Sequence, residues 1–254
     1  MITGERDFKL RLASGPEDLR AAQRLRYEVF VEELGGDGPL VDREQRLERD
    51  EYDPYYDHLM LFHRASGEVV GVYRLMRGER AAELGRFYSE TEYDLTRLKE
   101  SGRSLLELGR SCLHRDFRGG AAMHHLWNGL AGYVADHGIE ILFGVASFHG
   151  TDVDVLRQPL SFLHHWRLAP QDLRATARSE SFQSMDLLPK DEVDRRAAMR
   201  ATPALIKAYL RLGGVVGEGA WIDRDFNATD VCLILDTSRM NPREAERYAR
   251  DRTG

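Results

Sequence analysis

The amino-acid sequence predicts an α/β fold, with a mixed central sheet and helices on both of its faces. Strand-like and helical patterns alternate along most of the chain, as in sheets covered by helices. The run IEILFGVASF is apolar apart from its glutamate and its serine, which is typical of a strand buried on both sides. A length of 254 residues with 42% hydrophobic residues allows a sizeable core. No repeat or linker-like segment divides the chain, so we predict a single domain over residues 1–254.

The first third of the chain predicts a strand, a helix and a hairpin. FKLRLAS alternates like a strand, and apolar residues at helical spacing over 15–34 predict a helix that ends at two glycines. Residues 37–57 form a long acidic loop, with eight carboxylates against three arginines. A loop of this length inside a compact domain is usually functional or disordered. DHLMLFHR and VVGVYRLMR, separated by a turn-like segment, predict a hairpin.

The rest of the chain continues the alternation. A short helix near SETEYDLTRLKES is predicted to open at Ser89 with a capping box. The strand LLELGRSCL, a helix over 121–137, the strand IEILFGVASF and a helix near DVDVLRQPLSFLHHW follow. A C-terminal extension over 190–254 is preceded by strand-like SFQSMDLL. It contains the helix PALIKAYLRL, the strands VVGEGAWID and DVCLILDT, and a frayed helix from Asn241.

Composition excludes several functional classes. With a formal charge of -6, the chain lacks the general excess of basic residues that is typical of nucleic-acid-binding proteins. Cys112 and Cys232 lie in apolar runs and are expected to be buried thiols of a reducing compartment. No signal peptide or transmembrane stretch is present, so we expect a cytoplasmic protein and leave a peripheral membrane contact open. The adjacent histidines at 124–125 and 164–165 point about 100° apart on a helix, so no metal site is predicted.

Two charges inside the apolar strand LLELGRSCL indicate the functional site. Charges are seldom tolerated in a buried strand unless they are paired or functional. Glu107 and Arg110 are three residues apart, a spacing that puts them on opposite faces of a regular strand. Gly109 between them is a candidate bulge residue, and a bulge would restore a common face.

The order of elements, with the basic turn Arg118-Gly119-Gly120 between a strand and a helix, resembles the GNAT acyltransferase superfamily. Alanine stands where that superfamily's second turn glycine belongs. The segments LRYEVFVEELG, DEYDPYYDHLML, RFYSETEYDL, LELGRSCLHRDFR, LFGVASFHGTD and GEGAWIDRDFNATDV are similar, in this order, to bacterial L-ornithine Nα-acyltransferases. The resemblance covers about residues 8–236. It implies a GNAT-like sheet with bulged and splayed central strands.

The same resemblance implies the reaction. An N-acyltransferase of this family moves a 3-hydroxyacyl chain from acyl carrier protein to the α-amine of L-ornithine and gives a lyso-ornithine lipid. Such a transfer needs a base for the ammonium and donors for the developing oxyanion. Glu107 is the candidate base, with its pKa raised by apolar neighbours. Arg110 would bind a substrate carboxylate or pair with Glu107. A covalent intermediate on Ser147 or Cys112 is not needed.

The substrates imply two further sets of residues. The carboxylates of the acidic loop would hold the side-chain amine of ornithine, and two arginines would hold the loop or the substrate carboxylate. The candidates for substrate binding are Arg26, Asp50, Asp53, Asp57, Arg74 and Ser147. The candidates for binding the carrier protein and its phosphopantetheine arm are His114, Arg115, Arg118, Gly119 and Gly120.

Three alternatives remain open. An acyl-homoserine-lactone synthase shares the LRYEVF and Glu-x-x-Arg elements, and a coenzyme-A-dependent N-acetyltransferase shares the superfamily fold. A catalytically inactive GNAT-like binding module is disfavoured by the presence of Glu107 and Arg110. No tightly bound cofactor is expected, because acyl carrier protein brings its own phosphopantetheine as a co-substrate.

Overall fold

The predicted alternation of strands and helices is confirmed in the computed structural model, which describes residues 7–38, 41–119 and 121–240. The strands are β1 (Phe8–Leu12), β2 (Val41–Asp42), β3 (Leu47–Glu48), β4 (Asp57–His63), β5 (Val69–Arg77), β6 (Tyr93–Asp94), β7 (Leu105–Leu113), β8 (Ile141–His149), β9 (Thr176–Ala177), β10 (Phe182–Gln183), β11 (Val215–Val216), β12 (Ala220–Asp223) and β13 (Ala228–Asp236). The helices are α1 (Pro16–Arg26), α2 (Gly78–Leu84), α3 (Thr96–Glu100), α4 (Ala121–Asp136), α5 (Val153–Arg167), α6 (Arg195–Ala201) and α7 (Ala204–Leu212).

The described residues fall into two compact units, one within residues 7–85 and 108–138 and one within 86–107 and 139–240. In the first unit, β1 pairs with β4 and β4 with β5, both antiparallel, which confirms the predicted hairpin. β5 is followed in strand order by β7. β2 and β3 pair separately as a small hairpin within the acidic loop.

Helices cover both faces of the sheet in this unit because alternate residues of a strand face opposite sides. Met60 of β4 belongs to a buried cluster with Ala22 and Leu25 of α1. Its neighbour Leu59 faces α4, where a Cβ on Gly129 would lie 3.2 Å from the Leu59 side chain. The predicted arrangement of helices on both faces is therefore present here.

The second unit is built around β8. The first three residues of β7 pair with β8 in parallel, from Leu105↔Ile141 to Glu107↔Phe143. β8 pairs with β13 antiparallel over nine residues, and β12 and β10 follow. α7 packs on β13 and α5 packs on α6. None of the described helices is long and apolar enough to span a bilayer.

Several local features differ from the sequence-based expectation, and α2 is one of them because no helix was predicted between β5 and Ser89. α1 continues as a π-helical segment, Tyr27–Glu33. Ser89 lies inside a 3₁₀ turn, Tyr88–Thr91, instead of opening an α-helix. Only Phe182–Gln183 of SFQSMDLL is a strand, and α6 was not predicted. The frayed helix predicted from Asn241 lies outside the described residues.

Candidate active site

The acidic loop of the first unit is anchored by Arg26, the last residue of α1. Arg26 donates from Nε to Glu48 Oε2 at 2.5 Å, and from Nη1 and Nη2 to the two carboxylate oxygens of Asp53 at 2.6 and 2.9 Å. Nη2 also donates to the backbone oxygen of Glu48 at 2.6 Å. The Arg26 side chain is fully buried. The π-helical turn begins directly after Arg26, at a position where such turns often mark functional sites.

Arg74 of β5 is the second buried cation of this cluster. Its Nη1 donates to Asp50 at 2.7 and 2.8 Å and to Asp53 Oδ1 at 3.0 Å. The guanidinium lies over the ring of Tyr56, with the central carbon 4.4 Å from the ring centroid. Its Nε and Nη2 are buried and have no hydrogen-bond acceptor among the described residues. Arg74 therefore holds the loop through Nη1, while the hydrogens on two of its nitrogens have no acceptor among these residues.

Arg110 of β7 completes the cluster and is its partly exposed cation. Its Nε donates to Glu48 Oε1 at 3.1 Å, and its Nη2 lies 4.0 Å from Asp50. The side chain is 18% exposed, whereas those of Arg26 and Arg74 are fully buried. Of the three guanidiniums, that of Arg110 is the one that an incoming carboxylate can approach.

The backbone of Arg110 is unusual for a strand. Its φ is +50°, a left-handed conformation that costs a non-glycine residue about 1–2 kcal/mol. The irregularity predicted at Gly109 therefore falls one residue later. The alternation that assigns opposite faces to residues three apart does not hold across such a residue. Strain of this kind persists where surrounding contacts enforce it, which is common in functional sites.

Two carboxylates of the cluster, those of Glu48 and Asp53, are held ionised. Burial alone would raise the pKa of Glu48, but the guanidiniums around it, that of Arg26 first, lower this pKa to about 2. Burial also opposes ionisation of Asp53, and the hydrogen bonds and charge of Arg26 outweigh it, so the pKa of Asp53 is lowered. Each negative charge is balanced by arginines of this chain. Sequence analysis chose Asp50, Asp53 and Asp57 among the eight carboxylates of the loop and passed over Glu48, because no local pattern shows that Glu48 pairs with Arg26 and Arg110.

Sequence analysis grouped Asp57 with Asp50 and Asp53, but the described contacts of Asp57 are with different residues from theirs. The hydroxyl of Tyr133 donates to Asp57 Oδ2 at 2.5 Å, and Arg77 Nε lies 3.9 Å away. Burial, and then the hydrogen bond to Asp57, raise the pKa of Tyr133. These contacts connect the start of β4 to α4.

Glu107, the candidate base, lies in the second unit. Its Oε1 accepts from the backbone N–H of Ser89 at 2.6 Å and its Oε2 from that of Tyr88 at 3.0 Å. The residue is 1% exposed. Each carboxylate oxygen of Glu107 therefore accepts one backbone N–H. The 3₁₀ turn at Tyr88–Thr91 thus supplies amides that sequence periodicity did not reveal.

The thiol of Cys232 interacts electrostatically with Glu107 in this unit. Burial raises the pKa of the Cys232 thiol, and the charges of Glu107 and Glu92 raise it further. Asp230, which is 3% exposed, pairs in register with Ser147, so their side chains share one face of the sheet. Ser147, a predicted substrate contact, is exposed on that face. Sequence patterns did not distinguish Glu92 from its acidic neighbours Glu90 and Asp94, and they did not single out Asp230.

The residues predicted to meet the acyl donor follow β7. Both arginines form ion pairs with the carboxylate of Glu33. Arg118 Nη2 lies 2.8 Å from it and Arg115 Nε lies 3.3 Å from it. His114 Nδ1 accepts from the backbone N–H of Asp116 at 3.3 Å. Gly119 has a φ of +78°, which favours glycine. Gly120 lies outside the described residues.

Among the residues that the structure describes, one group of side chains could hold a metal ion. His164, His165 and Asp186 each offer a ligand atom, and these atoms lie within 4.8 Å of one another. His165 Nε2 already lies 2.8 Å from the backbone oxygen of Leu188. Sequence spacing did not indicate that Asp186 lies near the histidines, because Asp186 follows the end of α5 by many residues.

Comparisons with known proteins agree with this fold. Residues 25–128 match the family model described as an acetyltransferase (GNAT) domain. A CoA-dependent acyl-homoserine lactone synthase, BjaI, superimposes with a TM-score of 0.50 at 16% identity, over 92% of this chain and 82% of that chain. The synthase LasI does so with a TM-score of 0.50 at 15% identity, over 91% and 90%. The fold is that of the GNAT acyltransferases.

Two named relatives identify the family within the GNAT acyltransferases to which the chain belongs. The chain is 61% identical to an L-ornithine N(alpha)-acyltransferase of Rhodobacter capsulatus, over 98% of both chains. It is 40% identical to one of Brucella abortus, over 95% of this chain and 88% of that protein. The chain belongs to the L-ornithine N(alpha)-acyltransferase family and is an acyltransferase enzyme, which confirms the family predicted from the sequence.

Proposed function

We propose that this enzyme transfers a 3-hydroxyacyl group from acyl carrier protein to the α-amine of L-ornithine and releases a lyso-ornithine lipid. The 61% identity over 98% of both chains to an enzyme named for ornithine carries the choice of amine. A thioester donor on a carrier protein is consistent with the absence of the second turn glycine after Arg118. The reaction belongs in the cytoplasm, and the amphiphilic product leaves through a peripheral contact with the membrane.

Glu107 takes the proton in this proposal. The ornithine α-ammonium is protonated at neutral pH in solution and must lose a proton before it can attack. Glu107 accepts that proton directly or through a water molecule. The amine nitrogen then attacks the thioester carbonyl, the new C–N bond forms, and the C–S bond breaks. The departing thiolate of phosphopantetheine is protonated from solvent or from the attacking nitrogen.

Arg110 orients the amino acid by binding its carboxylate. The partial exposure of Arg110 and its rigid fork of donors support this role. Arg26 and Arg74 act as positioning residues, because their contacts are with the loop carboxylates. Asp50, which is 10% exposed, remains the loop carboxylate proposed to reach the substrate's side-chain amine.

One assay tests the proposal. The purified protein is incubated with 3-hydroxyacyl carrier protein and a panel of amino acids, and lipid-soluble products are identified by mass spectrometry. We expect an N-acylated ornithine and little product from acyl-coenzyme A. Product from S-adenosylmethionine but none from ornithine would instead identify a homoserine-lactone synthase. Acyl transfer from coenzyme A alone would contradict the proposed donor.

A further inference from the structure

The segment 195–217 of the second unit has an unusual composition. It contains five cations, no acidic residue, and otherwise only apolar or small side chains apart from Thr202 and Tyr209, which are both buried. The chain as a whole has a net charge of -6, so the net charge of this stretch is opposite in sign to that of the protein. The cations are Arg195, Arg196, Arg200, Lys207 and Arg211.

These cations lie at the surface of α6 and α7. The four arginines are exposed and Lys207 is half-buried. Within residues 7–38, 41–119 and 121–240, no acidic side chain forms an ion pair with any of the five. The carboxylate of Asp194 caps α6. It accepts from the backbone N–H groups of Arg196 and Ala197 at 2.9 and 3.0 Å. The surface therefore keeps its positive charge.

The geometry of α7 separates a core face from a charged face. Ile206, Tyr209 and Leu210 are buried, and α7 packs on β13. Lys207 and Arg211 are four residues apart and share the other face of the helix. Side chains with long stems can lay their methylenes on an apolar layer while the charged ends stay in water.

An aromatic side chain adjoins the start of α6. Trp166, at the end of α5, is half-buried. Its ring centroid lies 5.3 Å from Lys190 Nζ and 5.4 Å from the guanidinium carbon of Arg195. Tryptophan beside lysine and arginine is characteristic of the interface between a bilayer and water.

We propose that the α6–α7 surface, defined by the five cations of 195–217, docks on the anionic surface of a lipid bilayer. The five cations outnumber the one anion that directly adjoins α6, the exposed Asp194, and no uncharged polar side chain of 195–217 is exposed. A surface of this composition suits the unspecific attraction of acidic headgroups. A protein partner would ordinarily be met by mixed charges and hydrogen-bonding groups that fix its register. The inference rests on the peripheral contact proposed above, and it is independent of which amine is acylated.

Vesicle binding tests this surface without acyl transfer. Wild-type protein is sedimented with phosphatidylcholine vesicles that contain or lack phosphatidylglycerol, at low salt and at 0.5 M salt. The test variant is R196Q/R200Q/K207Q/R211Q. The control, K9Q/R20Q/R24Q/R43Q, removes the same number of charges from exposed positions of the first unit. A circular dichroism melt checks that both variants fold.

We expect wild type and control to bind vesicles that contain phosphatidylglycerol and to be released by salt. Each cation near such a membrane strengthens binding by roughly fivefold, so the test variant should bind at least tenfold more weakly. Equal binding of the two variants, or no binding by wild type at low salt, would overturn the proposal. So would a test variant that binds vesicles normally but no longer captures acyl carrier protein. An enzyme that binds vesicles as expected but does not acylate ornithine would contradict only the proposed function.

Discussion

Arg26 and Asp53 form a two-point ion pair with both side chains buried, at 2.6 and 2.9 Å. Arg26 also neutralises Glu48, so its removal would leave the carboxylates of Glu48, Asp50 and Asp53 with only two arginines, Arg74 and Arg110. We expect Arg26→Gln to lower the free energy of unfolding by about 3–5 kcal/mol, because an uncompensated buried charge is costly. Urea denaturation followed by circular dichroism measures the change.

Arg46 provides the matched control for this variant. It pairs with Glu32 at 2.8 Å, but its side chain is 58% exposed. Exposed pairs contribute about 0–1 kcal/mol, so Arg46→Gln should be close to neutral. Equal losses in the two variants would mean that the buried cluster adds nothing to stability beyond a surface contact.

Stability should fall in acid because the pKa of Glu48 is lower in the folded protein than in the unfolded chain. The folded state holds this pKa at about 2, against an ordinary value of 4.5. A group with a lowered pKa stabilises the fold above its unfolded pKa, and this contribution is lost as the pH falls through the folded value. We therefore expect the free energy of unfolding to decrease between about pH 5 and pH 2.

A single variant separates this contribution from those of other carboxylates. Glu48→Gln cannot ionise, so its unfolding free energy should be lower than that of wild type at pH 7. The difference between the two proteins should shrink as the pH approaches 3, and urea titrations at several pH values measure it. A difference that stays constant with pH would show that Glu48 keeps its ordinary pKa when folded.

Two glycines of α4 should respond oppositely to alanine. A Cβ on Gly129 would lie 2.1 Å from a methyl carbon of Leu10, whereas nothing lies within 4 Å of a Cβ on Gly132. Gly132→Ala should stabilise the protein by about 0.5–1 kcal/mol through helix propensity. Gly129→Ala should destabilise it by about 1–3 kcal/mol, since packed cores resist added atoms. Thermal melts of the pair decide whether α4 packs this closely on β1.

Both cysteines should be unreactive in the native protein. Burial raises the pKa of Cys112 to about 12, and burial together with Glu107 and Glu92 raises that of Cys232. Thiol reagents attack the thiolate, so at pH 8 we expect no reaction before unfolding and two thiols per chain in denaturant. Cys112→Ala and Cys232→Ala should keep acyl transfer, since direct attack by the amine needs no thiol. Loss of transfer with either folded variant would point to a covalent intermediate.

Periodicity was sufficient to predict most of the fold. Long apolar runs and helical spacing located α1, α4, α5, α7, β8 and β13, because these patterns reflect which face is buried. Periodicity did not predict α6, because its sequence RRAAMRA has no apolar stripe. The strand predicted at SFQSMDLL shortened to two residues, because flanking residues found partners outside a ladder, as Leu187 and Leu188 do with Ser161 Oγ.

The site was predictable in its residue types but not in its pairings. Glu107 and Arg110 stood out because charge is rare in an apolar strand. The partners of Arg26 lie 22 and 27 residues away in the sequence, and no local pattern links them. For the same reason the sequence grouped Asp57 with the loop, whereas tertiary contacts bring it to Tyr133.

Glu107→Gln tests the proposed base most directly. Glutamine has nearly the same shape and can still accept from one of the amides that bind Glu107, but it cannot take a proton. We expect the rate of thiol release from the acyl donor in the presence of ornithine to fall about 10²–10⁴-fold. Glu90→Gln is the control, because Glu90 caps the same turn through the N–H of Phe87 at 2.8 Å. A Glu107→Gln enzyme with the wild-type rate would show that this carboxylate only anchors the turn.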